Sequence, residues 1–443
     1  MMTHEQIEDI LNRVISLSRA NQVEALLMGG DSYLTGFANN YIHRNVGESN
    51  YTLSVRVAFG RKLGQASTSE FSDEALASVV KKAEQTAEFQ VENPNFISFA
   101  KPEEGTISLS AIVDEKISPL LRADYVKKIV EKTKSLGLNG NGKFETGTMQ
   151  IGVKNSLGVE RFFENSQATL KSVVLGENSS GYSVETAKSV KELHLEEIID
   201  ESVSIAERGR NPQDIEPGKY EVILTPYALA EFMSHMAYLT LNERAVEDGT
   251  SFMGENLGKK VLGDNINIYD DGFSPKTMHL PFDFEGVPKK KVVFFENGYA
   301  KEVVYDTLFA YKKGLDSTGH SLPQPSSYSP YPMNIVMEGG DSTKEEMIEH
   351  VERGLYVQRF WYTNPMDPRR LIITGMTRDG LFLIEHGKIT KPVKNMRFTE
   401  SIITALNNCV ELSKEYKLIY DMSAMTVPFA RIKDFTFTSG TNF

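Results

Sequence analysis

The sequence predicts an α+β protein, with an N-terminal α+β region over residues 1–210 and a strand-rich C-terminal domain over residues 218–443. Three observations carry this. Hydrophobic periodicity switches repeatedly between the two-residue period of strands and the 3.6-residue period of helices. The order strand, strand, strand, helix occurs twice, over about Ile42 to Ala87 and about Glu160 to Ala206, which predicts two sheet-plus-helix units. Turn formers then cluster from Asn211-Pro212 to Pro217-Gly218, where a boundary is expected.

The first helix follows from the capping-box spacing of Thr3 and Gln6 and from Ile7, Ile10, Leu11 and Val14 on one face. Leu53, Val55, Val57 and Phe59 alternate with Thr52, Ser54, Arg56 and Ala58, as in a half-buried strand, and Gly60-Arg61 turns into a further strand near Leu63 to Ser67. From Ser72 the period changes, and Leu76, Val79, Val80 and Ala83 define a helix to about Glu88. A Pro-bearing connection spans about Val91 to Pro119, and a helix is expected near Tyr125 to Thr133. In the second copy, strands are expected near Phe162, Thr169 to Val174 and Tyr182 to Thr186, and a helix near Leu195 to Ala206.

The chain has 443 residues, enough for about three units with cores of their own, and its 40% hydrophobic and 24% charged residues are those of an ordinary globular protein. Lys and Arg number 48 against 60 Asp and Glu, a formal charge of −12 that repels phosphate backbones; no nucleic-acid partner is expected. Met1-Met2-Thr3-His4-Glu5 places an acid where a signal peptide needs basic and then apolar residues, and no run of about 18 uncharged apolar residues exists, so neither secretion nor a membrane span is expected. The one cysteine, Cys409, fits a reducing cytoplasm and lies on a segment that reads as helical.

The candidate for chemistry is a helix in the second half. Tyr220 to Leu224 reads as a strand, Thr225 as an N-cap, and Pro226 as the first helical residue. Leu229, Phe232, Met233 and Met236 share one face, while Glu231 and His235 lie together on the opposite face, one turn apart. A carboxylate and an imidazole so spaced can share a metal, or the Glu can take a proton from a water that the His helps hold. The plain alternative is a solvent-facing pair on an amphipathic helix. Asp283, Glu285, Asp316, His320, Arg378 and Asp379 sit in turn-like settings that want such residues for backbone geometry alone. His4, His43, His194, His279 and His350 have no partner at ligand spacing, and His386 beside Gly387 reads as a hairpin turn. Met337-Glu338-Gly339-Gly340 lacks the glycine spacing and the Lys of a phosphate loop.

Five short motifs give the chain a resemblance: Ser251-Phe252-Met253-Gly254-Glu255-Asn256-Leu257-Gly258, Pro281-Phe282-Asp283-Phe284-Glu285-Gly286-Val287-Pro288, Asp316-Ser317-Thr318-Gly319-His320, Gly354-Leu355-Tyr356-Val357, and the run from Thr377-Arg378-Asp379-Gly380 through Ile384-Glu385-His386-Gly387 to Met396-Arg397-Phe398. In that order they resemble the TldD/PmbA proteins, also named modulators of DNA gyrase. The resemblance implies zinc-dependent peptide hydrolysis by a two-subunit complex of TldD with TldE, the latter also called PmbA. The catalytic subunit of the family carries His-Glu-x-x-x-His on the helix and a cysteine near its C-terminus that completes the zinc site. This chain reads Ala230-Glu231-Phe232-Met233-Ser234-His235, with Ala in place of the first His, and Asp421-Met422-Ser423-Ala424-Met425-Thr426 where the cysteine is expected.

The resemblance therefore implies a TldE/PmbA-type subunit of a cytoplasmic zinc metalloprotease complex acting on peptides, partnered by a TldD-type catalytic subunit or by itself as a homo-oligomer. No tightly bound cofactor is expected. A second reading is an active metallopeptidase homodimer with an altered site, in which Glu231 is the catalytic general base and His235 one ligand of a zinc. A third is a non-catalytic modulator that binds gyrase.

Overall fold

The computed structural model describes residues 1–103 and 118–441. Its first helix, α1 (His4–Leu17), is capped reciprocally: Thr3 Oγ1 accepts from the Gln6 amide and the Thr3 amide donates to Gln6 Oε1. Ile7, Ile10, Leu11 and Val14 are its buried residues, as the spacing predicts. Strands β1 (Gln22–Ala38), β2 (Tyr41–Phe59) and β3 (Lys62–Thr68) follow, then α2 (Asp73–Phe89), capped by Ser72. The order then repeats as α3 (Pro119–Ser135), β4 (Asn139–Asn155), β5 (Glu160–Leu175), β6 (Ser180–Ala187) and α4 (Leu195–Arg208).

All six strands form one antiparallel sheet in the order β3-β2-β1-β4-β5-β6, so the two units meet where β1 pairs with β4, Glu24 opposite Asn155 and Phe37 opposite Gly142. The helices cover one face in two adjacent cores. Val23, Ala25 and Leu27 pack with α1 and α2, and Phe144, Leu170 and Val174 pack with α3 and α4. A close contact repeats as well. A Cβ on Gly64 of β3 would lie 2.1 Å from the Ala83 carbonyl oxygen of α2, and one on Gly181 of β6 would lie 2.0 Å from that of Ser202 of α4. Only glycine admits this approach of helix to strand.

The repeated units are those expected, but their strand boundaries differ. Phe162 and Thr169 to Val174 belong to the single strand β5, and the stretch from Tyr41 through Phe59 is the single strand β2. The third strand of each unit is instead β1 or β4, which precedes the residues read as a copy. Of the Pro-bearing connection near Val91 to Pro119, residues 104–117 lie outside the described residues.

The opposite face of the sheet receives the C-terminal half: Leu280, Phe282, Phe284 and Val287 pack on Leu26, Ile151, Val153 and Phe163. That half holds β7 (Gly218–Leu224), the helix α5 (Pro226–Leu239), β8 (Ile268–Asp270), β9 (Val292–Glu296), β10 (Tyr299–Ala300), β11 (Asn334–Met337), β12 (Arg353–Asp367), β13 (Ile372–Glu385), β14 (Lys388–Pro392), β15 (Met396–Ser401), β16 (Cys409–Tyr420) and β17 (Ala424–Gly440). Strand β17 pairs with both β15 and β7, so β7, β12, β13, β15 and β17 close into a ring of hydrogen-bonded neighbours. Closure removes open edges from these strands and encloses the largest core, in which Phe360, Phe398, Phe435 and Phe437 are all buried.

His386 and Gly387 form the two-residue turn between β13 and β14, with φ of 50° and 73°, the left-handed pair that fits the twist of a hairpin. Cys409 corrects the helical expectation. The helix Ile402–Asn407 ends before it, and Cys409 is the first residue of β16, with burial pushing its thiol up to about 12.

Candidate functional site

Helix α5 starts as predicted. Thr225 Oγ1 accepts from the Tyr227 amide at 3.2 Å and donates to the Gln358 carbonyl at 2.5 Å, tying the helix to β12. The surroundings differ from an amphipathic surface helix. Tyr227, Ala228, Leu229, Ala230, Phe232, Met233 and Met236 are all buried, and Phe232 stacks on Phe360 and Phe435 with ring centroids 5.8 and 6.4 Å away. A helix apolar nearly all round belongs inside a core.

Glu231 and His235 share the remaining strip, and both are half-buried. Thr363 of β12 lies against both: its hydroxyl donates to Glu231 Oε2 at 2.8 Å, and its oxygen is 3.0 Å from His235 Nε2. A hydroxyl has one proton to give, so the bond from Thr363 to Glu231 leaves its oxygen to accept from a protonated Nε2. The consistent assignment is a neutral His235 donating to Thr363, which donates to an ionised Glu231. Burial lowers the imidazole pKa and so favours the neutral ring. Burial also raises the Glu231 pKa, against which the Thr363 hydrogen bond and the Arg359 charge pull downward, while Asp421 adds to the rise.

The first sheet completes the surroundings. Arg359 of β12 donates from Nε to Asp379 Oδ2 at 2.6 Å and lies over the ring of Tyr182 of β6, 4.3 Å from its centroid. Burial pushes the Tyr182 hydroxyl up to about 12, and the charges of Asp379, Glu231 and Asp421 raise it further against Arg359. Pairing of β12 with β13 shifts register between Val357 and Arg359 and again between Trp361 and Asn364, and Tyr362 has φ of 54°. Bulges of this kind re-aim side chains next to functional sites. Here they flank Arg359 and Thr363.

Of the residues singled out in the sequence, the fold gathers Glu231, His235 and Asp379. Arg378 and Asp379 lie within β13 and not in a turn, and the Arg378 guanidinium stands 4.0 Å from the ring centroid of Trp361. The turn reading holds for Asp283, whose carboxylate accepts from the amides of Glu285, Val287 and Ser321, while Asp316 is exposed in irregular chain. Glu285 sits in the expected turn but its buried side chain also pairs, and His320 is a buried pairing group outside a turn. His320 Nε2 is 2.9 Å from Asp270 Oδ1, and Glu285 Oε1 accepts from Arg56 at 2.8 Å. Thr363, Arg359 and Tyr182 were not foreseen. Thr363 stands 132 residues from Glu231, and the only local trace is Trp361-Tyr362-Thr363-Asn364-Pro365, where a proline interrupts a strand pattern.

Among the described residues no group of three or more His, Cys, Asp or Glu side chains converges as metal ligands would. Ala230, which the resemblance sets in place of a histidine, is 3% exposed.

Comparison with known proteins gives the family. Residues 217–439 match the PmbA/TldA metallopeptidase C-terminal domain, and residues 23–87 match the PmbA/TldA metallopeptidase domain 1. The chain belongs to the PmbA/TldD family. The metalloprotease TldD homolog of Buchnera aphidicola is 27% identical over 241 residues, 52% of this chain and 48% of that protein, so the match spans about half the length of that relative. The metalloprotease PmbA homolog of Haemophilus influenzae is 24% identical over 384 residues, covering 82% of this chain and 81% of that protein. The crystal structure of TldE from Thermococcus kodakarensis has the same fold, with a TM-score of 0.90 at 20% identity over 98% of this chain and 99% of that one.

Proposed function

We propose that this chain is a TldE/PmbA-type subunit that works with a TldD-type metallopeptidase on peptides in the cytoplasm and itself activates no water. The observation that carries the proposal is the bridge through Thr363. Its hydroxyl satisfies Glu231 and His235 together, and the buried methyl of Ala230 stands where a third donor is needed. Zinc sites take three or four protein ligands, and this donor set does not fit one. The zinc and the attacking water belong to the partner in this reading. This chain's part is to shape the chamber and hold an extended peptide along a sheet edge. The outer edge of β6 is already engaged, since Gln358 Nε2 donates to the Tyr182 carbonyl, which leaves the other edges for that task.

One observation favours the second reading, of an active enzyme with an altered site. Burial raises the Glu231 pKa, and a carboxylate so tuned is what a general base needs. Reconstitution separates the two. The chain alone, a TldD-type relative alone and their mixture are assayed on unstructured peptides. Hydrolysis confined to mixtures supports the proposal; turnover by the purified chain alone overturns it in favour of the second reading.

A further inference from the structure

Away from α5, a cavity of about 480 Å³ lies in the seam between the first sheet and the C-terminal half. Its walls include Arg56 of β2, Phe96 and Phe99 from the segment after α2, and Glu285, Asp306 and Leu308 from across the seam. That volume suits a small organic molecule, and the wall combines apolar faces with a few fixed polar groups, as ligand sites do. Phe96 and Phe99 meet edge to face at 5.3 Å, and the Arg56 guanidinium lies 4.9 Å from the Phe99 centroid.

Among the described residues the charges here do not balance. Arg56 is engaged by two carboxylates, donating from Nε to Glu24 at 2.8 Å and from a terminal nitrogen to Glu285 at 2.8 Å. Asp306 adds a third carboxylate, which accepts from the Phe309 amide and from Ser329 Oγ. Arg244, which also acts on Asp306, gives its guanidinium to the carbonyls of Ser329 and Ser326. Burial and the neighbouring Glu285 charge both raise the two other carboxyls. Burial pushes Glu24 up to about 7, with Arg56 pulling against the rise and Glu285 adding to it, and pushes Asp306 up to about 6, with Glu285 adding to the rise against the Phe309 and Ser329 hydrogen bonds and the Arg244 charge. On the same wall the Thr307 hydroxyl is buried without a hydrogen-bond partner among the described residues.

We propose that this cavity binds a small organic monocation, an ammonium or guanidinium on an aryl or alkyl arm, with the charge set against Glu285 and Asp306 and the arm against Phe96 and Phe99. A cation offsets the surplus carboxylate charge, and the aromatic faces favour both it and its arm. The site draws on both halves of the chain, so its ligand stabilises the seam by mass action.

The test uses the full chain and three probes of similar shape: benzylamine, benzyl alcohol and benzoate, followed by calorimetry and thermal melting at neutral pH. Saturable binding of about one benzylamine per chain, at least about tenfold tighter than benzyl alcohol and with no benzoate binding, is the expected result. Asp306→Asn should weaken benzylamine binding by about tenfold or more. Leu308→Trp, which fills the cavity without altering its charges, should abolish it and serves as the decisive variant if Asp306→Asn does not fold. Benzoate binding as tight as benzylamine, benzylamine binding that survives Leu308→Trp in a folded variant, or no saturable binding of any probe overturns the proposal.

Discussion

Replacing Thr363 by Val keeps the shape of the side chain and removes the hydroxyl that bridges Glu231 and His235. The hydrogen bond to an ionised carboxylate contributes about 1.5–3 kcal/mol, and the one accepted from a neutral imidazole about 1 kcal/mol. Glu231 and His235 are only partly buried, so the lower figures apply, and a loss of about 2 kcal/mol is expected where Glu231 is ionised. The pH dependence follows from the directions of the two shifts. Glu231 is raised above its ordinary 4.5, so its contribution to stability is fully present below that pH and is lost as pH rises through the folded-state value. His235 is lowered below its ordinary 6.5, so its contribution is present above 6.5 and is lost as pH falls through the depressed value. Removing the Thr363 bond raises the Glu231 pKa further, by about one unit for each 1.4 kcal/mol lost, so the deficit of Thr363→Val grows as pH rises. Denaturant unfolding of both proteins at about pH 5 and about pH 8, with a carboxyl NMR titration of Glu231, measures this. A deficit under about 0.5 kcal/mol at both pH values, or an unchanged Glu231 pKa, refutes the bridge.

Three further outcomes follow from the same structure. The purified chain, dialysed without chelator, should hold well under one zinc; elemental analysis finding about one tightly held zinc, lost in His235→Ala, promotes the active-enzyme reading. Expressed alone, the chain should form a homodimer or larger assembly, and light scattering showing a monomer of about 50 kDa at about micromolar concentration counts against that. Asp379→Asn should cost about 2–4 kcal/mol by leaving Arg359 unpaired above Tyr182. Asp379→Ala should cost about 1 kcal/mol more, because the residue has φ of 54°, which Asn tolerates and Ala does not; equal unfolding midpoints for the two variants would remove the backbone part.

The parts of the fold that were legible are those whose signal is local. The Thr3 cap and the stripes of α1 and α2 sit within a few turns of chain, and the N-cap and proline of α5 are adjacent residues. Strand β1 was not foreseen, since Gly29-Gly30-Asp31-Ser32 interrupts its apolar pattern. In the sheet those glycines serve contact across strands, since a Cβ on Gly30, with φ of 155°, would lie 1.9 Å from the Thr148 carbonyl oxygen. In β4, Gly140, Gly142 and Gly147 break the apolar pattern likewise. Glu231 and His235 were found from helical spacing, which is intrinsic to one element. What lies over them was not, because Thr363, Arg359 and Tyr182 arrive on strands set by long-range pairing. The burial of α5 could be seen in the length of its apolar run, which speaks against the alternative of a solvent-facing pair.

The central claim is that water is activated in the partner and not at Glu231. Glu231→Gln keeps the side chain's shape and an oxygen to accept from Thr363 while removing the base, so it isolates that claim. In the complex reconstituted with a TldD-type subunit, at low and at saturating peptide, the account predicts kcat within about threefold of wild type, with any role in peptide binding appearing as a raised KM. A fall in kcat of about 100-fold or more, with folding and assembly unchanged, would contradict it and place Glu231 at the chemistry.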